Sequence, residues 1–388
     1  MNVRTVKKTE KRFETPVVSN LGIQAWGDNN LYPNEILGLV AASESASSCI
    51  DRYISFVQGN GFKEEKFSEV IVNQLGETSD DIVQMLAFDV ANFRGIAIQV
   101  NYNLLGQIVE LNHVPFENCR LSETDDKGYV GRIAIHPDWT GKTKRGGKIL
   151  RVTKENIDFV DIFNPRKEVV FAQIESAGGI DNYKGQIIWI SEAGKQTYPK
   201  PVHDSVVSQM STEEGLGNIA NRNARNNFLP SKALVTRKGQ DVADTDDYQP
   251  DDTSISDALT MVQGDLSTGK MLHLEIEHDE EMPTVLDLQG TNYDKDYEVT
   301  TRTTGQKIYA AFNQEIWYRI MNGSIGFSSE ILTDAYEYYS TVTSKERRMI
   351  ERGFDKIFKH WYRMDNLSMD FTIQPLKFIS SGTSNNTE

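Results

Sequence analysis

From Trp26 to Phe62 the chain reads WGDNNLYPNEILGLVAASESASSCIDRYISFVQGNGF, a stretch that leaves the backbone few alternatives. A polar turn (Gly27, Asp28, Asn29, Asn30) runs into Pro33. Proline fits the first turn of a helix, where its missing N–H forfeits no hydrogen bond. Asn30 or Tyr32 is the expected helix cap. Two short apolar helical runs follow. In the second, Ala46, Cys49, Ile50, Tyr53, Ile54 and Val57 recur at spacings of three and four, so one face is buried. Gly59 and Gly61 then stop the helix. Nothing in this layout is chemical: it has no nucleophile beside a base and no metal-ligand spacing.

The chain has 388 residues, 38% of them apolar and 10% aromatic, enough for a real core. Its 41 basic and 56 acidic residues leave a formal charge of −15. Neutralising phosphates supplies most of the affinity of a DNA-wrapping protein, so tight DNA binding is disfavoured. A surface that DNA slides past without sticking is compatible with this charge. Cys49 and Cys119 stand far apart and are expected as buried small apolar residues in a reducing compartment, with no disulfide and no metal site. The opening MNVRTVKKTEKRF lacks the apolar segment of a signal peptide. No run reaches the ~18 apolar residues of a membrane span. The expectation is a soluble, intracellular chain when made, with residues 1–25 forming an arm.

The middle of the chain alternates between elements. A helix is expected over Asp80–Phe93, capped by Ser79, with Asp80 and Asp81 in its first turn. A β-hairpin follows, with Ile96, Ile98 and Val100 on one face, a turn at Asn103–Gly106 and a return over Gln107–Asn112. Shorter strands are expected at Cys119–Leu121 and Tyr129–Ile135, then at Ile157–Phe163, Glu168–Ile174 and Gln186–Ile190. Between strands, His113 and His136 read as hydrogen-bonded structural histidines rather than catalytic ones. Thr140–Lys154 is a basic hairpin loop, and Tyr198-Pro199-Lys200-Pro201 a rigid connection.

Two motifs in the second half are rejected on context. Gly215-Leu216-Gly217-Asn218-Ile219-Ala220 fits G-x-G-x-x-A, but no strand precedes it, and the strand that follows, Ala233–Thr236, ends at Arg237-Lys238 rather than at an acidic residue. The aspartates at 241, 244, 246, 247, 251 and 252 do not follow the calcium-loop pattern and read as an exposed acidic loop. Between these lies a stretch of the opposite sign, Ile219–Lys238, with five basic residues and no acid. It reads as a helix (Asn218–Asn227), Phe228-Leu229-Pro230, and a short strand at Ala233–Thr236. A short helix around Leu259 and a half-buried strand at Leu272–Ile276 come next.

From Thr291 the pattern is helical to Met364, broken at Asn322-Gly323-Ser324-Ile325-Gly326. The first helix ends through Ile308, Phe312, Ile316 and Ile320. The second starts at Ser328, its N-cap, with Phe327 and Leu332 placed as a hydrophobic staple, and runs to Trp361. Its outer face is expected to carry Lys345, Arg347, Arg348, Arg352, Lys356, Lys359 and Arg363. That face is an ordinary solvated surface, a subunit contact or a DNA-facing surface. Phe371–Ile373 reads as a last strand, and Ser380–Glu388 as a disordered tail.

The W-G-D-x-N-x-Y-P opening and the G-N-G-F close resemble the N-terminal region of portal proteins, the head–tail connectors of tailed bacteriophages. The succession helix, strand, N-x-x-G turn, strand, V-P-F, R-L over residues 80–135 resembles the portal wing. The helix, N-x-F, P, strand passage resembles the point where a portal stem helix enters the clip. The resemblance runs from Trp26 to about Gln374 and rests on succession rather than on any one motif.

It implies an α+β fold: a portal-like subunit with an α/β wing, a helical stem, a small β-containing clip and long C-terminal helices. The implied divisions are an arm (1–25), wing (26–211), stem helix (212–228), clip region (229–289), second stem helix (290–320), tunnel-loop candidate (321–328), C-terminal helix and final strand (329–378) and tail (379–388). The crown that many portals add is expected to be absent or minimal. By the same resemblance, about a dozen copies form a ring at one capsid vertex. Double-stranded DNA passes through it non-specifically during packaging and ejection. The implied partners are the terminase large subunit, the major capsid protein and a head–tail adaptor, with no cofactor, no metal, no catalytic residue and no membrane. Its location would be the virion, and the host cytoplasm during assembly. Arg222, Arg225, Asn322, Gly323, Ser324, Lys345, Arg348 and Arg352 are the DNA-channel candidates. Alternatives from other classes are a soluble α+β enzyme with a cation-binding acidic loop, and a virion adaptor without a channel.

Overall fold

A computed structural model describes residues 17–18, 20–126, 128–142, 144–145, 148–149, 151–194, 196–225, 233–237, 272–276, 293–326, 328–363 and 370–378. The acidic loop at 241–252, the short helix around Leu259, Phe327 and the tail at 380–388 lie outside the described residues. The fold is α+β and divides into two compact units. One is built from the chain up to Met210 and from Gln306 onward, the other from Ser211 to Gly305.

The first unit opens with a short antiparallel pair, β1 (Val17–Val18) and β2 (Ile23–Gln24). This part of the expected arm is tied down. Ile23 is fully buried, and the Gln24 side chain donates to Ser122 O at 2.8 Å. Helices α1 (Tyr32–Ala42) and α2 (Glu44–Gln58) follow, then one turn, α3 (Glu65–Ser68), and α4 (Ser79–Phe93). Helix α2 buries Ala46, Cys49, Ile50, Tyr53, Phe56 and Val57, the face read from the spacing, with Phe56 in place of the half-buried Ile54. Thr78, not Ser79, caps α4: its hydroxyl accepts from Asp81 N, and the Asp81 carboxylate accepts from Thr78 N at 2.8 Å. This reciprocal box leaves Ser79 free to turn inward, where it is fully buried.

Six strands form one sheet: β3 (Gly95–Tyr102), β4 (Ile108–His113), β5 (Cys119–Leu121), β6 (Arg132–Ile135), β9 (Asp158–Ile162) and β10 (Gln186–Ser191). Their order is β4-β3-β10-β9-β6-β5. The basic loop supplies a separate two-stranded pair, β7 (Lys144–Arg145) and β8 (Lys148–Ile149). All neighbours in the large sheet are antiparallel except β9 and β10. Two adjacent parallel strands need a crossover, usually a helix. Lys167–Ser176 is accordingly the helix α5, not the strand its Val169-Val170-Phe171 run suggests.

The second unit holds parts of α6 (Val207–Arg225) and α7 (Tyr293–Ala311), and a parallel pair, β11 (Ala233–Arg237) with β12 (Leu272–Ile276). The glycines of the G-x-G-x-x-A match sit inside α6, with no strand or phosphate-cradling turn. That helix starts well before the expected Asn218. Within this unit Tyr297 Oη donates to Leu216 O at 3.3 Å, joining the two helices.

Beyond Gly305 the first unit resumes with the end of α7, then α8 (Glu315–Met321), α9 (Ser329–Val342) and α10 (Ser344–Phe358). Two expected continuous helices are therefore each broken. Asn313 (φ 56°) ends α7, and Gln314 turns fully inward to donate to Cys49 O at 2.9 Å and to Tyr339 Oη at 2.7 Å. Thr343 separates α9 from α10. Helix α10 packs on α4 and β3, close enough that a Cβ at Gly353 would stand 3.1 Å from Ile96 Cδ1. After it, residues 370–378 run as an extended strap along 60–63. Asn60 N donates to Gln374 O (2.9 Å), Lys63 N to Thr372 O (2.9 Å), and Gln374 N to Gly61 O (2.8 Å). Phe371–Ile373 thus makes one isolated bridge, Phe62 to Ile373, rather than a sheet strand. Gly59 (φ 65°) permits the crossing, since a Cβ there would lie 2.1 Å from Gln374 O.

Candidate functional site

The candidate tunnel loop begins as a helix terminator. Gly323 takes φ 67°, its N–H donates to Ile320 O at 3.1 Å, and Ser324 N donates to Arg319 O at 2.9 Å. That pair of bonds around a left-handed glycine is the Schellman arrangement. Ile325 and Gly326 lead to Ser328, whose hydroxyl accepts from Ile331 N at 3.3 Å and caps α9. Asn322, Gly323 and Ser324 are all exposed, but their backbone donors are engaged. Asn322–Ser324 form a compact uncharged turn. A Gly323→Ala variant is expected to lose about 1 kcal/mol of stability from the left-handed backbone alone, because a Cβ there meets nothing within 4 Å. Thermal unfolding beside Ser324→Ala measures it; equal melting of the two variants would show that the positive φ is not enforced.

Helix α10 carries three more candidates on one face. Lys345 Nζ lies 2.7 Å from Glu192 Oε2, a carboxylate it shares with Arg94 at 2.8 Å, so it is already engaged in an ion pair. Arg348 and Arg352 are exposed and have no ion-pair partner among the described residues. Arg347, expected on the same outer face, is buried. Its guanidinium donates to Phe56 O (2.8 Å), Thr343 Oγ1 (2.8 Å) and Ser340 O, and burial lowers its pKa. It closes the α9–α10 break from inside. Arg222 and Arg225 fall in the last turn of α6, and their side chains lie outside the described residues.

Three buried polar groups are the places to look for chemistry. His113 Nε2 lies 2.8 Å from Oδ2 of the fully buried Asp89, which also accepts from Phe116 N at 3.3 Å. Burial pushes the Asp89 carboxyl up to about 7, with the His113 contact acting in the opposite sense. The nearby thiol of Cys119 is fully buried, pushed further up by the same desolvation, and donates to Pro115 O at 3.6 Å. A thiol held protonated is not a nucleophile. His136, also buried, accepts from Asp138 N at 3.1 Å and ends a strand, in keeping with its structural reading. Among the described residues, no group of three or more His, Cys, Asp and Glu side chains is placed to hold a metal ion. No helix among them is long and apolar enough to cross a membrane.

The arrangement that sequence reasoning misses surrounds Arg120, which is fully buried in β5. Its Nε donates to Asn30 Oδ1 (2.6 Å), one terminal nitrogen to Asn30 O (2.8 Å), and the other to Glu117 O (2.7 Å) and Cys119 O (2.8 Å). The guanidinium faces Trp26 at 5.5 Å and Trp139 at 5.0 Å. Asn30 is therefore no helix cap: it takes φ 63°, accepts from Trp26 N at 3.0 Å, and hands its remaining acceptors to Arg120. Tyr198, expected in a connector, stacks on Trp26 (4.6 Å, 6°) and donates to Gln24 O at 2.7 Å. The W-G-D-N-N opening is thus a receptor for one buried cation and ties the turn before α1 to β5.

No protein-family profile matches the chain, and no curated protein matches it in sequence. Among solved structures it is similar to a chain from the neck of the empty gene transfer agent particle computed with C6 symmetry, at TM-score 0.46 and 12% identity, covering 92% of this chain and 87% of that one. A chain from the virion of the native gene transfer agent particle gives 0.43 and 12%, with 84% and 79% covered. An HK97-family phage portal protein from Corynebacterium diphtheriae gives 0.30 and 11%, with 80% and 87% covered. These are similarities at 11–12% identity with TM-scores below 0.5, and none of them assigns an activity to this chain.

Proposed function

We propose that this chain is a portal-type subunit, a wall element of a ring through which double-stranded DNA enters and leaves a viral head. The observation that carries the reading is one of chain order. An α+β body opened by the W-G-D-x-N-x-Y-P tract sends the chain out through α6 into a separate unit with a small parallel strand pair, and takes it back through α7. We read this order as the wing, stem, clip and second stem that the sequence resemblance implies. About a dozen copies form the ring, which docks the terminase large subunit and later a head–tail adaptor, within the capsid built by the major capsid protein.

The work is mechanical and electrostatic. Each Lys or Arg contact with phosphate releases counterions and adds affinity, so a gripping wall slows a moving duplex. A charge of −15 per subunit, repeated around a ring, repels the polyanion. The compact uncharged turn at Asn322–Ser324 suits a bore-facing position, while Arg222 and Arg225 are proposed as a sparse guiding ring. Purified full-length protein viewed by negative-stain microscopy tests this. Hollow rings of uniform diameter are expected, and a compact monomer at all concentrations overturns the reading.

A further inference from the structure

Helices α9 and α10 present opposite charges to solvent. On α9 the exposed side chains Glu330, Asp334 and Glu337 are spaced four and three apart, so they form one stripe. On α10 the exposed Arg348, Arg352 and Lys356 are spaced four and four. At 1.5 Å per residue these stripes are about 10 and 12 Å long. None of the six has an ion-pair partner among the described residues, although other charges of α10 do. Lys345 is taken by Glu192 and Lys359 by Asp355. An exposed tyrosine stands near each stripe, Tyr338 on α9 and Tyr362 past the end of α10. The inward faces are committed, α9 through Ala335 and Tyr339, α10 through Ile350, Phe354 and Ile357.

We propose that these two stripes are the two halves of one heterologous interface between copies of this chain, the acidic stripe of α9 on one copy meeting the basic stripe of α10 on the next. The physical case is complementarity in sign, number and length. Copies carrying −15 each repel one another, so association needs a local attraction that opposes the net charge. Arginines facing carboxylates provide it with bidentate geometry. Because the contacting patches differ, the contact is head to tail, and such contacts close into rings or propagate as filaments. This deepens the portal reading and rests on it: it assigns Arg348 and Arg352 to the wall between subunits instead of the face toward DNA.

The test uses full-length protein with three variants: Arg348→Glu with Arg352→Glu and Lys356→Glu, Glu330→Lys with Asp334→Lys and Glu337→Arg, and all six together. Sedimentation velocity and native mass spectrometry read assembly at low and high salt. Circular dichroism checks folding, which six exposed positions leave intact. Reversing either stripe juxtaposes like charges and is expected to weaken association at least ~100-fold. Reversing both restores complementarity and the assembly, and salt weakens the wild-type contact. If wild type assembles and each single-stripe variant assembles equally well, the interface lies elsewhere and this proposal fails while the portal reading stands. The proposal fails in the same way if the basic-stripe variant assembles normally but loses DNA retention. If wild type never assembles, both fall.

Discussion

Replacing Arg120 with Ala is expected to remove about 4 kcal/mol of unfolding free energy, the loss typical when one partner of a buried charged network is deleted. Four acceptor contacts end at its guanidinium, from Asn30 Oδ1, Asn30 O, Glu117 O and Cys119 O, the last buried and the other three partly buried. Leaving such acceptors without a donor carries their full desolvation penalty. The side chain also fills the space between Trp26 and Trp139, so truncation adds a cavity. Burial lowers the guanidinium pKa to about 10, yet the group stays charged at neutral pH. Arg120→Met separates the contributions: it keeps most of the volume and loses the donors, and is expected to recover about 1 kcal/mol of the loss. Urea unfolding at pH 7 followed by far-ultraviolet circular dichroism measures both. A loss below about 1 kcal/mol in the alanine variant would mean that the Asn30 turn is held by something other than Arg120.

Much of the first unit is legible in its residues because its signals are local. The spacing of Ala46 through Val57 marks α2, and the alternation of Ile96, Ile98 and Val100 before Asn103–Gly106 marks the β3–β4 hairpin. Ser328 is a legible cap because its partner is three residues away. The failures share a different cause. Val169-Val170-Phe171 has strand composition, but the parallel pairing of β9 with β10 demands a crossover, and that pairing is a property of the sheet. Asn30 reads as a cap because its true partner, Arg120, is ninety positions away. Arg347 sits in a row of basic residues and reads as exposed along with them. Nothing nearby in sequence signals that Phe56 O and Ser340 O await it within. At the candidate site the same division holds. The Asn-Gly pair announces the turn at Asn322–Gly323, and the four-residue spacing of Arg348, Arg352 and Lys356 announces a stripe. What each stripe faces depends on other chains, about which local spacing is silent.

A His203→Phe variant is expected to outlast the wild type increasingly as pH falls, by about 3 kcal/mol at pH 4 relative to their difference at pH 7. His203 sits in a 3-10 turn, Val202–Val206, and is fully buried, stacked on Phe312 with ring centroids 5.5 Å apart at 18°. Neither ring nitrogen has a hydrogen-bond partner among the described residues. Burial holds its pKa down to about 4, although the neighbouring Asp204 favours the cation. An unfolded imidazole titrates near 6.5, so between about 6.5 and 4 the unfolded chain binds more protons than the folded one. The stability contributed by the neutral ring is therefore complete above about 6.5 and drains away as pH drops toward 4. Asp89 slopes the other way. Its folded pKa near 7 exceeds the ordinary carboxyl value, so its contribution is whole at low pH and is lost as pH rises through 7. The two slopes overlap and partly cancel in the wild-type profile, which is why the difference between variant and wild type is the quantity to follow. Phenylalanine preserves the stack on Phe312 and cannot ionise, and any packing offset it introduces is the same at every pH. Urea unfolding of both proteins at half-unit steps from pH 4 to 8 gives the curve. A difference that stays flat to within about 0.5 kcal/mol would show that the folded imidazole titrates like an exposed one, so that water reaches the turn at His203.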